Sequence, residues 1–113
     1  MIMTRPQDTL LVITNLPDRA SAERLAEALI ERRVAACVNL MAPCRSVYPW
    51  QGAVERAEEY PLFAKTPANR YDALQETIRE LHPYELPEII AVRLDAGLPA
   101  YLEWVAAETR PTA

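Results

Sequence analysis

His82-Pro83-Tyr84-Glu85-Leu86-Pro87-Glu88 is the stretch from which the fold of this chain is read. On its N-terminal side, Tyr71, Leu74, Ile78 and Leu81 recur at three- and four-residue spacing, the stripe of an amphipathic helix. On its C-terminal side, Ile89-Ile90-Ala91-Val92 is continuously apolar, the mark of a strand buried on both faces. Proline fixes its own φ and pushes the preceding residue toward extended geometry. The helix therefore stops at His82-Pro83, and a strand is expected over Glu88–Leu94. The heptapeptide becomes a stiff helix-to-strand connector. It holds an imidazole, a phenol and two carboxylates at defined angles.

Outward from this connector the pattern repeats. Thr9–Asn15 reads as a strand, with Leu10-Leu11-Val12-Ile13 apolar on both faces, and Pro17-Asp18 turns the chain. Ser21 is the expected N-cap of a helix carrying Ala22, Leu25, Ala26, Leu29 and Ile30 on one face and running to about Arg33. Ala36–Trp50 reads as a second extended segment, bent or bulged at Pro43. Gln51-Gly52 turns it into a third strand, Ala53–Lys65. Pro61 lies inside that strand and has no N–H for a ladder, so it must face an edge, a bulge or a strand break. Thr66 as N-cap and Pro67 at the first helical position open the next helix. Asp95–Leu98 is a turn, and Pro99–Glu108 is a short final helix.

This order is an α+β ferredoxin-like βαββαβ sandwich with a long hairpin between its second and third strands and an extra C-terminal helix. At 113 residues it makes one domain. Residues 9–108 are assigned to that domain, 1–8 to a loosely ordered N-terminus and 109–113 to a tail.

Composition narrows the function classes. A net charge of −4 without a basic run argues against nucleic acid. No apolar stretch approaches the roughly 20 residues that span a membrane. Met1–Asp8 lacks the apolar run of a signal peptide, so a cytoplasmic location is the expectation. Cys37 and Cys44 on one extended strand would sit roughly 23 Å apart, too far for a disulfide unless the chain turns at Pro43. Only two glycines are present, too few for a phosphate-cradling loop, and no nucleophile with base and orienting group is visible. A non-enzymatic role is expected.

Two features point to self-assembly. The central strands read as buried on both sides, yet the two main helices can cover only one face of the sheet. The hairpin arms, roughly 13 to 15 residues each, would reach about 45 Å and overhang so small a domain. A neighbouring copy of the chain is the expected cover for both.

Several stretches together resemble the CutA divalent-cation tolerance proteins. They are Ala35-Ala36-Cys37-Val38-Asn39, Ser46-Val47-Tyr48-Pro49-Trp50-Gln51-Gly52, Lys65-Thr66 and His82 through Ile90, extended by Gly97-Leu98-Pro99-Ala100-Tyr101 and Trp104. The resemblance runs from Leu10 to Val105. It implies a ferredoxin-like fold, a tight homotrimer and a link to divalent metal ions, copper above all, with a response to metal ions as the process. The trimeric architecture is also similar to that of the PII nitrogen-regulatory proteins. Tyr60-Pro61 departs from the plain apolar strand usual in the family, and Cys44 lies outside its motifs.

The candidate metal ligands are His82, Glu85 and Cys37, with Glu88 nearby, since copper and zinc take imidazole, carboxylate or thiolate. One histidine is a thin supply, so a shared subunit site is the form expected for Cu(II) or another divalent cation. The competing reading makes His82 a helix-end residue, Tyr84 a packing residue and Cys37 a small buried hydrophobe. Trp50, Lys65 and Tyr84 form a second candidate set. Trp50 is read as an interface anchor or as one wall of an intersubunit cleft. In the cleft version the chain is a PII-like signalling or scaffold trimer, and Lys65 neutralises a small anionic ligand. A protein partner at that cleft is the other possibility.

Overall fold

The computed structural model describes residues 8–112. Strand β1 (Thr9–Leu16) pairs antiparallel with a long strand β4 (Ala53–Pro67), from Thr9 opposite Pro67 to Leu16 opposite Tyr60. Between them in the chain come helix α1 (Arg19–Glu31), strand β2 (Cys37–Leu40) and strand β3 (Cys44–Trp50). A 3-10 turn (Ala68–Arg70), helix α2 (Tyr71–Leu81), strand β5 (Ile90–Arg93) and helix α3 (Pro99–Glu108) follow. The sheet order is β2-β4-β1-β5, and β3 pairs with the outer half of β4. This is the α+β, ferredoxin-like arrangement expected from the sequence.

Alternation along β1 and β4 sorts the sheet into two faces. Val12, Leu16, Leu62 and Ala64 are fully buried and pack with Leu25 and Leu29 of α1 and Leu74 and Ile78 of α2. Their neighbours Leu11, Ile13, Phe63 and Lys65 point the other way and are only partly covered. Helix α3 packs against β4, with Val105 fully buried.

The element ends differ from the expected ones for local reasons. Asp18, not Ser21, caps α1: its Oδ1 accepts the Ser21 N–H at 2.8 Å, which also holds its carboxyl below the usual range. Thr66 does not cap α2. It is buried in β4 and its hydroxyl donates to the Val34 carbonyl at 2.7 Å, so the strand continues to Pro67 and the helix starts at Tyr71. The last strand is shorter than Glu88–Leu94 and is not buried on both faces within one chain. Ile90 and Val92 are each 50% exposed, because β5 is an edge strand. The expected N-terminal segment lies outside the described residues except for Asp8. That residue's carbonyl accepts from Ala68 N–H, and its carboxylate pairs with Arg93.

Pro43 does break the second extended segment, and the break explains Pro61. The Pro61 carbonyl accepts from the Met41 N–H at 2.9 Å, so the side of Pro61 that lacks an N–H faces the β2 edge. There the partner strand is interrupted between Leu40 and Cys44, so the missing N–H falls at a break in the ladder. At the hairpin tip Gln51 (φ 50°) and Gly52 (φ 84°) both adopt positive φ, the two-residue turn whose twist matches the strands it joins.

Arg33 joins distant parts of the chain. With φ 58° it ends α1 in a left-handed cap, where Arg33 N–H bonds to Ile30 and Val34 N–H to Leu29. Its guanidinium donates to the carbonyls of Ala107 and Arg110 at the end of α3. Its own carbonyl accepts from Arg70.

The opposite-facing neighbours Pro61 and Leu62 give a direct test. Leu62→Ala should cost about 2–5 kcal/mol of stability and Pro61→Ala less than about 1 kcal/mol. Urea unfolding at one fixed protein concentration measures both.

Candidate functional site

The connector leaves α2 at His82 and runs back across the end of β1. His82 is buried, 7% exposed. Its Nε2 lies 2.7 Å from the Asn15 carbonyl oxygen, which can only accept, so Nε2 carries the proton. Its Nδ1 accepts the Tyr84 N–H at 3.1 Å. Both ring nitrogens are thus engaged, and the imidazole is neutral. Burial pushes its pKa down, with the Asn15 bond and the Glu59 carboxylate opposing.

The bonds continue outward. The Tyr84 hydroxyl donates to Glu59 Oε2 at 2.9 Å. Burial, and then the Glu59 carboxylate, push the phenol well above its ordinary value, so it remains a donor. The Asn15 side-chain amide donates to Glu88 Oε1 at 3.2 Å. One network therefore ties β1, the connector and β4 together.

Above this network lies a cavity of about 770 Å³ between the connector and the inner side of the hairpin. Tyr48, Trp50 and Tyr84 supply aromatic walls; Glu59, Glu85 and Glu88 supply carboxylates. No lysine, arginine or histidine is among its described lining residues.

The sequence-based candidates divide between two places. Trp50, Tyr84 and Glu85 share the cavity. Lys65 does not: it pairs across strands with Cys37, its Nζ 4.0 Å from Cys37 Sγ and 2.9 Å from Asn39 Oδ1. Cys37 and Cys44 are both free thiols. Among the described residues no group of three or more His, Cys, Asp or Glu side chains could hold a metal ion. Within one chain, then, His82, Glu85 and Cys37 do not gather as three ligands of one metal ion. Sequence reasoning missed Glu59 and Asn15. Glu59 sits in the Glu58-Glu59-Tyr60 run with nothing to distinguish it from an exposed hairpin residue; only the strand register turns it inward.

The comparisons with known proteins fit this architecture. Residues 10–108 match the model of the CutA1 divalent ion tolerance protein family. The chain belongs to that family. "Protein CutA" of Mus musculus is 42% identical over 89 residues, 79% of this chain and 50% of that protein. The chain thus spans about half of the mouse relative's length. "Divalent-cation tolerance protein CutA" of Thermus thermophilus is 38% identical over 99 residues, 88% of this chain and 96% of the relative. The crystal structure of CutA from Xylella fastidiosa superposes with a TM-score of 0.89 at 41% identity, covering 91% of this chain and 99% of that one. The structure named "Periplasmic divalent cation tolerance protein CutA", from Archaeoglobus fulgidus, gives 0.87 at 29% identity, covering 90% and 99%. Family members therefore include a protein described as periplasmic. Among the described residues of this chain, no helix is long and apolar enough to cross a membrane.

His82 makes the fold sensitive to mild acid. Its pKa is lowered in the folded state, so the unfolded chain binds the proton more readily. Stability from this group is complete above the ordinary value of 6.5 and falls as pH drops below it. A second ring proton would also set Nδ1–H against Tyr84 N–H. Urea midpoints should decline from pH 7.5 toward 5.5, and His82→Asn should flatten that decline. The variant should also cost about 1–3 kcal/mol at pH 7.5.

Proposed function

We propose that this chain acts as a homotrimer in the response to divalent cations, as a binding rather than a catalytic protein, with copper or another divalent cation held where subunits meet. One observation carries the assembly. On the face that α1 and α2 leave open, Ile90 and Val92 of the edge strand are half exposed beside Leu11, Ile13 and Phe63. The hairpin adds Val47 and Val54, exposed by 58% and 62%. Exposed apolar side chains next to an unpaired strand edge are a surface for another copy of the chain.

The shared location of the cation follows from the donors. The described residues of one chain gather no three such ligands, so a divalent ion would draw side chains from more than one subunit. Glu85 is the exposed carboxylate of the expected set, whereas both His82 nitrogens are occupied within the chain. The location expected from the sequence, the cytoplasm, stays part of this proposal.

A second reading draws on the cavity: a PII-like signalling or scaffold trimer that holds a small molecule or partner segment between subunits. Its ligand would meet three carboxylates and no basic side chain, since Lys65 lies elsewhere. An anionic ligand would therefore need its basic group from a neighbouring subunit.

Light scattering should give three times the 12.8 kDa chain mass, and Ile90→Glu with Val92→Glu should reduce it to one. A monomeric parent protein would refute the assembly. In Cu(II) titration calorimetry, His82→Asn should change affinity by less than about twofold and Glu85→Gln by about tenfold. Loss of binding in a trimeric His82→Asn protein would return the imidazole to the ligand set.

A further inference from the structure

We propose that the cavity between the hairpin and the connector binds a small organic cation: an ammonium group carried on an apolar body. This rests on the reading of the chain as a ligand-binding protein and names the class of ligand that its site would take.

Three independent features converge on that chemistry. The first is charge without compensation. Glu59 is 6% exposed, yet the hydroxyl of Tyr84, a neutral donor, is its partner. Glu88, exposed at the rim, is held by the neutral amide of Asn15. The ion pairs among the described residues join Arg32 to Glu80, Arg79 to Glu76 and Arg93 to Asp8, and none involves a cavity carboxylate. A carboxylate removed from water without a cation is costly, and the cost falls when a cation arrives. The neutral donors meanwhile fix the oxygens in place before any ligand comes.

The second feature is the aromatic wall. Tyr48, Trp50 and Tyr84 line the same space as the carboxylates. The negative face of an aromatic ring attracts a cation, Trp most strongly, and also packs against methyl or methylene groups. A bare metal ion gains little from such walls; an alkylammonium gains from both properties.

The third feature is size. The cavity measures about 770 Å³, within the range of roughly 300–1,000 Å³ typical of small-molecule sites. A water-sized ion needs only about 30 Å³. The space suits a molecule with a body, and the sign of the lining suits a positive one.

The test uses the full chain in its assembled state. Choline is titrated by calorimetry beside 3,3-dimethylbutan-1-ol, which has the same shape but no charge, and beside Cu(II). Light scattering is recorded on each sample. Choline should bind saturably, and the neutral isostere at least about tenfold more weakly. Glu59→Gln should weaken choline binding by at least about tenfold, and Trp50→Leu should do so independently if the buried substitution disturbs folding. Equal binding of choline and its isostere, or no choline binding to the assembled protein, overturns the proposal. The second of these results is the one expected if a neighbouring subunit fills the cavity. Cu(II) binding that Glu59→Gln removes, without choline binding, overturns it in favour of a metal site. The mass measurement keeps the readings apart. A trimer that ignores choline retires this proposal alone, whereas a monomer that binds choline retires the assembly alone.

Discussion

The His82 imidazole joins two backbone groups that no regular element would otherwise satisfy: the Asn15 carbonyl near the end of β1 and the Tyr84 N–H in the connector. Buried polar backbone needs partners, and here one ring supplies a donor and an acceptor at once. That pair of bonds sets the path of the connector. The path places Tyr84 over Glu59, lets Asn15 reach Glu88, and leaves an open volume facing the hairpin. If the ring were absent, the walls and the carboxylates would lose their common reference point.

Much of this was legible in the residues. Periodicity identified both main helices and the connector, and Pro99–Glu108 matches α3 end for end. Gln51-Gly52 announced the hairpin turn, and Pro43 its interruption. Helix starts were less legible, because short polar residues serve more than one purpose. Ser21 has the chemistry of a cap, but Asp18 stands three residues earlier and accepts its N–H. Thr66 has the same chemistry, yet a buried carbonyl at Val34 claims its hydroxyl. Such choices depend on tertiary partners that local sequence does not name.

The candidate site was legible by composition and not by role. Histidine in a stiff connector suggested a ligand; in the fold both of its ring nitrogens are engaged by backbone groups. Within one chain Lys65 and Trp50 lie apart, because strand register sends the lysine to Cys37 and Asn39. Cross-strand neighbours are fixed by pairing over long sequence distances. A one-residue slip would exchange the two sides of β4 and turn Glu59 out to solvent. The sign of the cavity is therefore a property of register more than of composition.

Arg33 carries a consequence for the way the molecule opens. Its backbone closes α1 while its guanidinium holds the last carbonyls of α3, and Arg70 grips its own carbonyl from the start of α2. A C-terminal helix normally frays early, with amide protons exchanging through local opening. Here release of α3 means freeing the residue that terminates α1. The final helix and the first are thus coupled into one cooperative opening unit, although they lie at opposite ends of the chain.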